Sequence, residues 1–284
     1  MALRNHSLVR LLTVSCFLFS QSSFAGGKKF RETLSLDTNL SIPLTWLHPE
    51  SKSTPPRALV ILQHGMMRNA EKMMALAQSL VDRNIEVVLP GITDSQTMDP
   101  LFPEMFANAF DKKQNDPAGR TLPGKILMAG FSAGARFLSH VAGLLQNKQR
   151  DIRGVVLMDP VIGLLPEQQL GPRLPVPYFT ILAKPSRCNS DGSAFPLFES
   201  GQFETQGFRL KTASHCDFEG KSSDSLCYVF CGSSPRENSE VIRTFVTEWI
   251  SGLVDSEAPH VDYLPGGKIF MFWQNQGLFD TIFK

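Results

Sequence analysis

Two short runs at residues 30–36 and 40–47, joined by the polar turn Asp37-Thr38-Asn39, predict an opening pair of strands. A Ser/Pro-rich linker at 49–57 then leads into residues 58–63, a continuous apolar run of the kind a parallel strand shows when both its faces are buried. Apolar positions recur at helical spacing over 69–83, and 85–89 is the next strand. Residues 91–124 form a longer, proline-containing connection with a helix expected from about 104 to 112. This is a place for a lid or pocket wall. Beyond it, 125–130 reads as strand, 133–146 as helix, 154–158 and 177–183 as strands, and 208–212 as a short last strand. A closing amphipathic helix covers 239–253. Such alternation predicts an α/β fold with a mostly parallel sheet and helices on both faces. The tail 255–284 contains Ile269-Phe270-Met271-Phe272-Trp273, too apolar to hang free, and is expected to pack on the body.

The strongest chemical signal lies at the centre of this pattern. An apolar strand, Lys125-Ile126-Leu127-Met128-Ala129, runs into Gly130-Phe131-Ser132-Ala133-Gly134 and then into a helix. In a G-x-S-x-G turn between strand and helix, the glycines let the two elements approach closely, and the serine hydroxyl is pushed out at the carboxyl end of the sheet. Ser132 is therefore the expected nucleophile. The helix start offers the Ala133 backbone N–H to developing negative charge. His64-Gly65 closes the strand at 58–63, a position that commonly supplies a second oxyanion donor, here the N–H of Met66.

A serine hydroxyl needs a base, and the base an orienting acid. His140 lies two turns along the helix after the elbow, His48 precedes Pro49 near the first strands, and His64 is a loop-bracing residue. His215 follows the last expected strand in Ala213-Ser214-His215-Cys216-Asp217-Phe218, and the chain order Ser, acid, His suits it as base. For the acid, Asp159 ends the strand 154–158 and Asp191 follows the strand 177–183. Both strand ends are used by this kind of site, so the choice stays open; Asp217 is too near His215 along the chain to orient it.

With these stations placed, residues 58–253 resemble the α/β-hydrolases, most nearly the chlorophyllase-like branch. The similarity rests on the serine motif, on Met158-Asp159-Pro160-Val161-Ile162-Gly163 beside that branch's L-D-P-V-x-G, on His215-Cys216-Asp217-Phe218 beside its G-H-M-D-F/M, and on a later cysteine pair. There and in the related platelet-activating-factor acetylhydrolases the D-P aspartate is the triad acid, so the resemblance implies Asp159, with Asp191 as the alternative. Phe131, Ala133, Ala135 and Ser214 depart from the branch's G-H-S-R-G-G and G-H. What the resemblance implies is ester hydrolysis, not chlorophyll as substrate.

Composition narrows the setting. The 284 residues are 42% hydrophobic and 19% charged, ample for a packed core. Residues 1–25 read as an export signal, with Arg4 and Arg10 flanking a short basic region, a nine-residue apolar stretch from Leu11 to Phe19, and Ser23-Phe24-Ala25 before the cleavage point. Its removal leaves 26 basic against 27 acidic residues, a balance of −1 with no general field for nucleic acid. The remaining 26–284 form one expected domain with no membrane span, exported to the periplasm or outside the cell. Cys188, Cys216, Cys227 and Cys231 suggest two disulfides in one of three pairings. No metal or organic cofactor is expected. The partner is a small-molecule or lipid-like ester, with Met66, Met67, Phe131, Phe195 and Phe198 as candidate apolar lining. The same triad serves a serine peptidase or acyltransferase, and the same fold serves a binding protein without catalysis.

Overall fold

A computed structural model describes residues 27–50, 54–165, 168–256 and 260–283; the expected export signal lies outside them. Among the described residues, nine strands join one sheet, in the order β1-β2-β4-β3-β5-β6-β7-β8-β9. The first two, β1 (Gly27–Ser35) and β2 (Ser41–Pro49), form the expected antiparallel pair, and β2 pairs antiparallel with β4 (Glu86–Pro90). Parallel pairing then runs from β4 through β3 (Leu59–Gln63), β5 (Lys125–Phe131), β6 (Asp151–Met158) and β7 (Tyr178–Leu182) to β8 (Gln206–Leu210).

The apolar runs behave as a sheet buried on both faces requires. Successive side chains alternate sides, so Val60 and Leu62 enter one core while Leu59 and Ile61 enter the other. Helices α1 (Met74–Val81) and α7 (Glu237–Ser256) cover the first face, where Trp249 stacks on Phe179. Within the 91–124 connection, α3 (Phe102–Asp111) lies with α4 (Ala133–Asn147) on the second face, and α2 (Asp94–Met98) packs against both helices. There Phe106 meets Phe110 and the Phe137 ring of α4. Short helices α5 (Phe195–Glu199) and α6 (Ser225–Cys231) sit in the connections after β7 and β8.

The strand expected to be last is not. The tail packs on the body as expected, but as helix α8 (Lys268–Asn275) followed by β9 (Phe279–Phe283), which pairs antiparallel with β8 and becomes the sheet edge. Phe279 stacks on Phe208 with ring centroids 3.9 Å apart, and Phe270 and Phe245 complete the cluster. No described helix is long and apolar enough to cross a membrane.

At the sheet end where β4 begins, Glu86 and His48 meet across the β2–β4 pair with Oε1 and Nε2 3.4 Å apart, both buried. Asp116 and the Arg120 guanidinium close the cluster on the Nδ1 side. Burial pushes the Glu86 carboxyl up to about 7 and the His48 imidazole down to about 4. Glu86 holds its proton longer in the folded chain than its ordinary 4.5 allows, so its contribution is full below 4.5 and lost as pH rises to 7. His48, held below 6.5, has the opposite slope between 4 and 6.5, and the two oppose each other where the windows overlap. Above pH 7 only the cost of ionised, buried Glu86 remains. Glu86→Gln is therefore expected to stabilise the protein by about 1–3 kcal/mol at pH 8. That gain should shrink to nothing by pH 4.5, as read from thermal midpoints across the range; a pH-independent effect would refute the assignment.

Candidate active site

The chain passes from β3 to β4 on one side and then returns to place β5 on the other side of β3. Where the direction of winding reverses, the loops leaving adjacent strands diverge and open a crevice at their carboxyl ends. His64 to Met67 follow β3 at this point, and Ser132 follows β5.

Ser132 stands between β5 and α4 with φ 57° and ψ −126°. A non-glycine residue there costs about 1–3 kcal/mol and persists only when its surroundings enforce it. Close packing enforces it here. A Cβ on Gly134 would lie 2.2 Å from the His64 carbonyl oxygen, and one on Gly130 2.5 Å from Ala135 Cα. Larger residues would force strand and helix apart. The Ser132 N–H donates to the Met158 carbonyl at 2.9 Å, tying the turn to the end of β6. The residue that follows β6 is Asp159.

Asp159 and His215 are brought together, with Oδ2 and Nδ1 2.6 Å apart and both residues buried. That contact occupies Nδ1, so Nε2 is presented on the opposite edge of the ring. The remaining acceptor capacity of the carboxylate is taken by the Ala183 N–H on Oδ1 at 3.0 Å and by the Asn189 amide. The imidazole lies 4.5 Å from the ring of Phe131, the neighbour of Ser132, measured between centroids. Ser132, Asp159 and His215 thus follow the carboxyl ends of β5, β6 and β8.

Asp191 is elsewhere. It is exposed in the turn after β7, with φ 55° and its N–H donating to Ser186. Asp217 is buried but capped by Ser214 N–H, Tyr228 Oη and Ser234 Oγ. Its negative charge and burial push the Tyr228 phenol up to about 12, burial being the larger cause. His140 is bound to the Gln169 carbonyl. His64 contacts the Gly65 carbonyl through Nδ1 in an environment whose burial lowers its affinity for protons, which suits bracing. His260, absent from the sequence expectations, pairs with Glu248.

Of the expected lining, Met66 and Met67 are 48% and 81% exposed beside the serine. Gly65, just before them, lies so close to the elbow that an added Cβ would sit 2.8 Å from Ser132 Cβ. The Met67 N–H is spent on Asp94 of α2 at 2.6 Å, whereas the Ala133 N–H, at the first turn of α4, has no partner within its own helix. Phe131 and Phe198 are buried, and Phe195 lies under the Arg209 guanidinium, so these three act as core. Further exposed apolar residues lie in the connections after the same strands: Leu164 and Leu165 after β6, and Leu226, Val229 and Phe230 on α6 after β8.

Two features escaped the sequence. Arg68, just past the Met66–Met67 turn, makes a two-pronged contact with buried Glu219 on the 3-10 helix that begins at His215, which raises its proton affinity further. It joins the loop of the expected second oxyanion donor to the loop of the expected base. The other is Asn189, preceded by a cysteine but carrying no motif of its own. The cysteines pair as Cys188–Cys231 and Cys216–Cys227.

No protein-family model and no curated protein matches the sequence. Solved structures do. An α/β-hydrolase enzyme, MGS-M1, from a Medee basin deep-sea metagenome library is similar with a TM-score of 0.60 at 14% identity, over 82% of this chain and 100% of that one. A bacterial heroin esterase has a TM-score of 0.56 at 13% identity, over 79% and 85%. An arylesterase has 0.55 at 14%, over 84% and 88%. The chain has the α/β-hydrolase fold.

Proposed function

We propose that this protein is an exported serine carboxylic-ester hydrolase in which Ser132, His215 and Asp159 act as a unit. One observation carries the reading: the 2.6 Å contact between His215 Nδ1 and Asp159 Oδ2, reached from two separate strand ends beside a serine held in a strained turn. A buried imidazole fixed by a carboxylate on one nitrogen is oriented to move a proton on the other. His215 Nε2 takes the proton of Ser132 as Oγ attacks an ester carbonyl carbon. The N–H groups of Ala133 and Met66 donate to the oxyanion. His215 then gives its proton to the departing alkoxide oxygen, leaving Ser132 acylated. Water repeats the sequence and releases the acid. Asp159 holds the Nδ1–H tautomer and stabilises the imidazolium.

The D-P-V-x-G motif shared with the chlorophyllase-like branch supports Asp159 as acid. The solved esterases of the same fold support esters as the substrate class. Exposed Met66 and Met67, in the loop whose Gly65 packs against Ser132, favour an ester with apolar groups. The two disulfides suit an oxidising compartment, in keeping with the export signal.

A fluorophosphonate probe is expected to label Ser132 covalently, and the same preparation to hydrolyse p-nitrophenyl esters across a series of acyl lengths. Absence of both would end this reading; turnover of peptide anilides above that of esters would replace it with a peptidase.

A further inference from the structure

Asn189 ends a short 3-10 turn, Arg187–Asn189, in the connection after β7, and is fully enclosed. Its Nδ2 donates to Asp159 Oδ2 at 3.1 Å and to the Lys184 carbonyl at 3.0 Å. Its Oδ1 accepts from the backbone N–H groups of Ser186 at 2.8 Å and Gly192 at 3.0 Å. Both donor hydrogens and both lone pairs are in use, so only one orientation of the amide satisfies the site. Flipping it would set Oδ1 against a carboxylate and a carbonyl, and the amide nitrogen against two N–H groups.

Asp159 depends on such support. Its backbone has φ +42°, a conformation that L residues rarely adopt, so a relaxed backbone does not by itself aim the carboxylate. The direction is set by what binds the two oxygens: the Ala183 N–H, the Asn189 amide and His215.

The disulfides continue the chain of support. Cys188, next to Asn189, is bonded to Cys231 at the end of α6, and Cys216, next to His215, is bonded to Cys227 one turn earlier on the same helix. Sulfurs Cys227 Sγ and Cys231 Sγ lie 3.9 Å apart. One seven-residue helix therefore carries covalent ties to both loops that meet at Asp159.

We propose that Asn189 is a positioning residue for Asp159, and that the Cys188–Cys231 disulfide holds it in place. The inference rests on the assignment of Asp159 and His215 as acid and base. A brace for the loop alone would affect stability and leave the acid–base contact unchanged, so the test reads that contact directly. The proton between His215 Nδ1 and Asp159 should give a far-downfield proton resonance, visible without substrate. In Asn189→Ala it is expected to broaden beyond detection, with kcat on p-nitrophenyl esters lowered about 10- to 100-fold and KM within about threefold. Asn189→Leu, of matching length but without donors, should behave alike and serves if the alanine variant folds poorly. The double variant Cys188→Ser/Cys231→Ser, with Cys216–Cys227 intact, should share the signature. Retention of the resonance and of kcat within about twofold in both Asn189 variants would overturn the proposal. Their retention in the cysteine variant alone would overturn the role of the disulfide. Wild-type protein with a responsive resonance but no ester turnover would instead sink the esterase reading and leave Asn189 in its role.

Discussion

Replacing Ser132 by alanine is expected to lower kcat for ester hydrolysis by about 10⁶ while leaving the fold intact. In the proposed mechanism, loss of Ser132 removes the acyl-enzyme route altogether, so His215 and Asp159 would have no hydroxyl left to activate. Alanine also suits the position sterically, since the elbow is held by the close approaches at Gly130 and Gly134 and not by the serine side chain. Stability should stay near that of wild type or rise slightly, as sites built on strain often lose activity and gain stability together. Steady-state turnover and thermal midpoint, measured on one preparation, check both halves. Residual activity above about one part in a hundred would mean that another group attacks the carbonyl.

The second large effect separates the two candidate acids. Asp159→Asn is expected to cost about 10³- to 10⁴-fold in kcat, because an amide oriented toward Nδ1 no longer selects the tautomer that leaves Nε2 able to accept a proton. The Ala183 N–H donates to Oδ1 while His215 Nδ1 meets Oδ2, so the Ala183 N–H would hold the carbonyl oxygen of an asparagine and direct its NH₂ toward the imidazole. Asp191→Asn, in an exposed turn, should change kcat by less than about twofold. A larger loss at Asp191 than at Asp159 would reverse the assignment.

How far these residues could be read in advance follows from the range of the interactions involved. The elbow was legible because its signal is contiguous: an apolar strand, two glycines at fixed spacing and a helix. Asp159 and Asp191 were not separable on local grounds, since each follows a buried strand. The sheet puts β6 next to β5, and the Ser132 N–H on the carbonyl of Met158, so the residue after Met158 is the nearer one. Asn189 gave no sign because a loop asparagine next to a cysteine is unremarkable until the partner cysteine, 43 residues on, is known. The short helices α2, α5 and α6 are too brief for periodicity to declare them. Strand β9 was missed for a related reason. It pairs with β8 across some 70 residues, as in the Arg209–Thr281 partnership, with no tight turn to announce the pairing.

By itself, then, the order of residues determined which segments become buried strands and covering helices, where the backbone must bend sharply, and that a serine stands at that bend. Those properties come from neighbours in sequence: side-chain period, the steric allowance of glycine, the start of a helix. Tertiary structure alone decided which carboxylate meets His215, which cysteines join, what aims Asp159, and that the tail closes the sheet. Each of these is a meeting of segments far apart along the chain, and its free energy is gained only once the sheet order has brought them side by side.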